Sequence, residues 1–140
     1  MKKSLMVCLS ALVLSIAQAE DLSGLEEFLC SASHVSLCAE TGECFDVQPW
    51  EIDMPQFVVI DTKRKMIATT RASEQPRSTA ITHITRDSTV IYVQGTEAGR
   101  AFSMIIDEAT GLLTAAVARD GFSISVFGAC TDADVKAATR

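Results

Sequence analysis

Short apolar runs separated by polar turn signals fill the stretch from Phe57 to Cys130. The runs are rich in β-branched and aromatic residues, which favour strands, and the intervals between them carry Gly, Asp and Thr. Every connection is too short to hold a crossover helix, so successive strands must be antiparallel. Seven runs are predicted as strands: 57–60, 66–70, 79–85, 89–94, 101–106, 112–118 and 122–127. The pattern predicts a mainly β, up-and-down antiparallel meander of about 7–8 strands, forming a small barrel or a strongly curved sheet.

The alternation of residue types indicates which face of the meander is buried. Phe102, Met104 and Ile106 share one side of their run, because side chains alternate along a strand with period two. The last two runs are joined by Asp120 and Gly121. This pair favours a tight hairpin turn in which both residues adopt positive φ.

The N-terminus has the pattern of a secretory signal peptide. A basic start is followed by an apolar run from Leu5 to Ile16 and by Ala17-Gln18-Ala19, which predicts cleavage after Ala19. The alternative is a membrane anchor, but a spanning helix needs roughly 18 or more apolar residues, and this run is shorter. We therefore expect a periplasmic or secreted protein with no membrane span after cleavage.

The remaining chain is expected to form one domain, residues 20–140. Its predicted parts are an N-terminal helix and cysteine-rich lead-in at 20–55, the β-meander at 56–130 and a C-terminal tail at 131–140. Removing Lys2 and Lys3 with the signal changes the formal net charge from −6 to −8. An acidic protein of this kind disfavours nucleic acid and anionic membranes as partners.

A short amphipathic helix is predicted from about Gly24 to Ala32. Ser23 and Glu26 match a capping box at its start. Four apolar residues in and just before this stretch lie at helical spacing: Leu22, Leu25, Phe28 and Leu29. We expect this face to pack against the sheet or the mouth of the barrel.

Four cysteines remain after the signal peptide, and an even number in an exported chain indicates two disulfides. Cys38 and Cys44 flank a turn-like loop and can face each other across a hairpin, which leaves Cys30 to pair with Cys130. The alternative is a zinc site, because Cys30, His34 and Cys38 are regularly spaced. Structural zinc prefers cysteine pairs two to four residues apart, and these are absent, so the disulfides are favoured.

Three residues are candidate contacts for a ligand or a partner: Trp50, Tyr92 and Arg100. Trp50 is the only tryptophan, and we expect it to fill one end of the core, with a ligand-stacking face as the alternative. Glu97 and Arg100 place opposite charges around a tight turn. They form either a recognition patch or an exposed pair of little energetic consequence.

No catalytic, cofactor-binding or metal-binding motif stands out, and no cofactor is expected. The preferred function is a non-enzymatic, exported binding module of the bacterial envelope, for a small apolar ligand or a protein target. The alternative is an inhibitor or structural partner of another periplasmic protein, acting through the polar loop 71–77. A hydrolase that uses His34 or His83 is a weaker hypothesis, because spacing alone cannot place a nucleophile beside either histidine.

Overall fold

The computed structural model describes residues 21–133, so the predicted signal peptide and most of the predicted C-terminal tail lie outside the described residues. One 3-10 helix occurs in this range, at Pro49–Ile52. The ten strands are β1 Glu27–Ala39, β2 Cys44–Asp46, β3 Phe57–Asp61, β4 Met66–Thr69, β5 Ser78–Ala80, β6 His83–Asp87, β7 Val90–Glu97, β8 Arg100–Asp107, β9 Leu112–Arg119 and β10 Phe122–Asp132. Between residues 21 and 133, no helix has the length and apolar character needed to cross a membrane.

The strands form one antiparallel sheet that curls into a half-barrel. Its order is β5-β4-β3-β1-β10-β9-β8-β7-β6, and the short β2 pairs with the second half of β1. The predicted mainly β, antiparallel architecture is therefore confirmed. The order also shows that two meanders, β3–β5 and β6–β10, meet on either side of β1.

The predicted helix from Gly24 to Ala32 is wrong, because β1 begins at Glu27 and passes through this stretch. β1 pairs with β10 along its length and with β3 over residues 27–31. These two ladders provide backbone hydrogen bonds that outweigh the local helical preference. Phe28 and Cys30 alternate inward and are fully buried. The stretch predicted as a lead-in thus contains the strand that joins the two halves of the sheet.

The predicted strand at 79–85 is divided into β5 and β6, which lie on opposite edges of the sheet. Ile81 N donates a hydrogen bond to Lys65 O, continuing the β5 side, and Thr82 N donates to Gln94 O, continuing the β6 side. The chain therefore crosses from one edge to the other within two residues. This covalent link holds the edges near each other and makes the sheet curl.

The concave face of the sheet carries the core. Ile106 is fully buried, and Phe102 and Met104 pack against the same cluster, as the alternation predicted. Leu22 fills the end of the half-barrel beside the β8–β9 turn, and its N–H donates to Glu108 O at 2.7 Å. The opposite end, where β7 turns into β8, contains the cavity described below.

The hairpin turns differ from the sequence prediction in one respect. Gly121 has a φ of +76°, as expected, but Asp120 is not among the residues with positive φ. The turn with positive φ at both central residues joins β7 to β8, at Ala98 (+47°) and Gly99 (+77°). These are the dihedral signs of a type I′ turn, whose twist matches that of the flanking strands.

Both predicted disulfides are present. Cys30 and Cys130 face each other directly on β1 and β10, and Cys38 and Cys44 do so on β1 and β2, with a Cα–Cα distance of 4.0 Å in each pair. These bonds leave no thiolate among the four cysteines for the alternative zinc site.

Candidate functional site

A cavity of about 140 Å³ lies inside the half-barrel, toward the end where β7 turns into β8. Its lining is mostly apolar and comes from strands around the whole sheet. The apolar wall includes Val58, Ile67, Phe102, Met104, Leu113 and Ala115. An apolar space of this size is close to the roughly 150 Å³ that accepts benzene in an engineered protein cavity.

Small residues at inward positions help to leave this space open. β9 sends Leu113 and Ala115 inward, and the methyl group of Ala115 occupies little of the volume. On β7, Gly95 has no side chain, and the ring of Phe102 from β8 lies over it. A Cβ at Gly95 would stand 2.5 Å from Phe102 Cζ. The absent side chain therefore gives the Phe102 ring its place in the cavity wall.

The segment 49–56, called the cover below, crosses the open side of the cavity. Ile52, Met54 and Pro55 from this segment contribute to the cavity lining. Its 3-10 turn is capped by Glu51, whose carboxylate accepts a hydrogen bond from the Gln48 N–H at 2.6 Å. The cover is held to β1 by the Ala32 N–H, which donates to Gln56 O at 3.0 Å, and Ile52 and Met54 pack against the core.

Arg77 ties the cover to the sheet. Its Nη1 donates to the main-chain oxygen of Asp53 at 2.8 Å, and its Nη2 lies 3.4 Å from Glu97 Oε2. The other carboxylate oxygen of Glu97 accepts a hydrogen bond from Thr79 Oγ1 at 2.8 Å. The three side chains thus form a polar rim along one side of the cavity.

Arg100 also lines the cavity but is not part of this hydrogen-bonded rim. The type I′ turn places it directly opposite Glu97 in the β7–β8 register, yet the two side chains are not ion-paired. Arg100 is partly buried, and its Nε is buried without a hydrogen-bond partner among the described residues. The Nε–H of Arg100 is therefore free to donate a hydrogen bond to an acceptor at the cavity wall.

The site combines an apolar pocket with a charged rim, which suits an apolar or amphipathic small molecule. Comparisons of the chain with protein-family models, curated proteins and solved structures found no match.

Trp50 does not fill the core, and the prediction that favoured this role is wrong. Its side chain is 67% exposed because the 3-10 turn of the cover presents it outward. It lines a groove of about 570 Å³ between the cover and the loop 71–77, called the outer groove below. Met54 and Arg77 line both the outer groove and the cavity, so Trp50 lies beside an approach to the cavity.

Tyr92 lies on the opposite, convex face of the sheet. In the strand register it is next to Ile105, then Thr114, then Phe127, and all four are exposed. We call these four residues the outer row. Of the three predicted contacts, the structure brings only Arg100 to the cavity, with Trp50 nearby and Tyr92 on the other face.

The two histidines lie on strands that are far apart in the sheet. His34 Nε2 on β1 is 3.3 Å from Asp46 Oδ1, and His83 Nε2 on β6 is 2.9 Å from Thr85 Oγ1. Within residues 21–133, neither histidine is hydrogen-bonded both to a nucleophile and to an orienting carboxylate. The geometry therefore gives the hydrolase hypothesis no support.

Sequence reasoning missed Arg77 and the cover. Arg77 stood in a polar loop, and no local pattern shows which backbone oxygen a loop arginine will bind. The cover had a weak signal, because Ile52 and Met54 are apolar and are bracketed by Pro49 and Pro55. An apolar segment between two prolines, outside any strand, needs a surface on which to pack.

Proposed function

We propose that this protein is an exported, non-enzymatic binding protein that takes a small apolar group into the half-barrel. The observation that carries the proposal is the apolar cavity of about 140 Å³ beneath the cover. The periplasm or the extracellular space is the proposed location. Two disulfides favour an oxidising compartment, and the N-terminal pattern is typical of an exported protein.

The size of the cavity limits the ligand and its affinity. By comparison with the benzene-sized engineered cavity, about six carbon atoms would fill it. Burying roughly six carbons at about 0.8 kcal/mol each gives about 5 kcal/mol. This corresponds to a Kd of roughly 0.2 mM for an uncharged ligand. Tighter binding requires a polar contact at the rim.

Hexan-1-ol is a suitable neutral probe, with methyl NMR as the readout. We expect saturable shifts at the methyl groups of Ile67 and Leu113, which line the cavity, and no shift at Ile105 in the outer row. Equal shifts at Ile105, or no saturation, would contradict a cavity site.

Neighbouring alanines on β9 provide a matched pair of variants. Ala115→Leu places a larger side chain in the cavity, whereas Ala116→Leu places it on the exposed face. We expect hexan-1-ol binding to be lost in Ala115→Leu and kept in Ala116→Leu. Retained binding in a folded Ala115→Leu protein would refute the proposed site.

The outer row supports a second candidate, a protein contact on the convex face. Tyr92, Ile105 and Phe127 are 39%, 46% and 48% exposed and adjoin across neighbouring strands through Thr114. Adjacent exposed apolar side chains of this kind are typical of protein interaction sites. A photo-crosslinking residue at position 105 in the producing cells, with one at Ser125 as the control, tests this. A discrete adduct at 105 alone favours a partner, and none at either position argues against it.

A further inference from the structure

The cavity wall contains a cation that has no anionic partner among the described residues 21–133. Arg100 lines the cavity, its Nε is buried without a hydrogen-bond partner, and its guanidinium makes no salt bridge within residues 21–133. A desolvated N–H group is unfavourable unless it finds an acceptor. An arginine in this state favours a ligand that brings a negative charge to it.

The nearby acids do not supply that charge, because Arg77 and Thr79 engage them. Glu97 accepts from Thr79 Oγ1 at 2.8 Å and lies 3.4 Å from Arg77 Nη2. The Asp53 carboxylate lies 3.5 Å from Arg77 Nη1 and is largely exposed. Arg77 therefore has two acidic neighbours, whereas Arg100 has none within salt-bridge distance in the described part of the chain.

We propose that the ligand is a monocarboxylate with an aliphatic chain of about six carbons, and that Arg100 binds its carboxylate. This inference rests on the proposed function, since the chain would occupy the same apolar cavity. A guanidinium offers two parallel N–H donors that match one carboxylate. One unpaired cation balances one negative charge, and the Glu97 carboxylate in the lining disfavours a second.

Hexanoate and hexan-1-ol each contain six carbons and differ in the head group, so they separate the two proposals. Their affinities are measured at pH 7 by calorimetry and methyl NMR on the oxidised protein. We expect the wild type to bind hexanoate about tenfold or more tightly than hexan-1-ol, the ratio expected for one additional charged hydrogen-bonded contact. Arg100→Met should remove this preference, so that hexanoate and hexan-1-ol bind the variant with affinities within about twofold of each other. Arg119→Met, which removes an exposed arginine outside the cavity lining at the same end of the sheet, should bind both as the wild type does.

Each remaining outcome decides between the two proposals. Hexan-1-ol binding without any preference for hexanoate, or an unchanged preference in Arg100→Met, overturns the role of Arg100 and leaves the cavity site standing. Binding of neither probe overturns the proposed function itself. If Arg100→Met does not fold, carboxyl-labelled hexanoate bound to the wild type gives the answer. Its pKa should be lowered on binding if it pairs with a guanidinium, and an unshifted pKa overturns the inference.

Discussion

Arg77 Nη1 donates a hydrogen bond to the main-chain oxygen of Asp53 at 2.8 Å, and this bond fastens the cover to the sheet. Arg77→Met removes it while keeping an unbranched side chain that matches the arginine stem. We expect faster amide hydrogen exchange in residues 49–56 and faster ligand release, because the cover loses its charged anchor. Arg71→Met, a change at an exposed arginine in the neighbouring loop, is the control. Equal exchange in both variants would show that Arg77 does not hold the cover.

Replacing Gly95 with alanine should disturb the cavity wall. The new Cβ would stand 2.5 Å from the Phe102 ring and 3.0 Å from Ala80 O, so the ring must move. We expect a loss of about 1–3 kcal/mol in the free energy of unfolding, as for other overpacked sites, and weaker hexan-1-ol binding. Phe102→Leu in the Gly95→Ala background should recover part of the stability. Additive effects in the double variant would contradict a direct clash.

Ala98→Gly should stabilise the protein. Ala98 has a φ of +47°, in the left-handed region that penalises a Cβ, and the type I′ turn needs this dihedral. The free energy of unfolding should rise by about 0.5–1 kcal/mol, because the relief of backbone strain exceeds the cost of glycine's extra backbone entropy in the unfolded state. Urea unfolding measures this change. Ala116→Gly on the exposed face of β9 should instead lose stability. A destabilised Ala98→Gly variant would mean that the turn has another conformation.

The two disulfides should differ in their contribution to stability. Cys30–Cys130 joins residues 100 apart in sequence, whereas Cys38–Cys44 joins residues six apart. Loop-closure entropy predicts losses of about 5 and about 2 kcal/mol when each pair is changed to alanine. Urea unfolding of the two double variants measures this. Non-reducing peptide mapping should show these pairings, and a Cys30–Cys38 or Cys30–Cys44 linkage would refute them.

Asp61 should make stability depend on pH in the acid range. The Asp61 side chain is 13% exposed, and this burial raises the pKa of its carboxylate. Hydrogen bonds from the Arg64 N–H and guanidinium, together with the Arg64 charge, outweigh burial and leave the pKa below its usual value. The stabilisation is therefore present above about pH 4, the usual aspartate pKa, and is lost as the pH falls through the lowered folded value.

Asp61→Asn should remove this dependence. The variant should be less stable than the wild type at pH 7 by about 1–3 kcal/mol, and the difference should shrink as the pH falls. Unfolding midpoints in urea between pH 7 and pH 2 give the comparison, with the exposed Asp120→Asn as the control. A gap that stays constant with pH would show that the Asp61 carboxylate is not stabilised by Arg64.

Sequence patterns determined most of the strands after Phe57, because they depend on neighbours only a few residues apart. Period-two alternation and turn residues identified β3, β4, β7, β8, β9 and β10 to within a few residues at most ends. Cysteine number and spacing predicted both disulfides. Each of these features follows from short-range sterics or from covalent chemistry that the compartment controls.

The tertiary structure decided what depends on distant partners. The apolar spacing around Phe28 fits one helical face as well as a strand, and only the ladders with β3 and β10 make it β1. Trp50 is exposed because the opposite side of the cover faces the cavity. The cavity wall is built from strands that are far from Trp50 in sequence. Among residues 21–133 Arg100 has no ion-pair partner, because Arg77 and Thr79 engage Glu97 from across the curled sheet. Such pairings depend on how the two edges of the sheet meet. Local sequence cannot encode which cation a carboxylate will bind when the cation lies on a strand or loop at the other edge of the sheet.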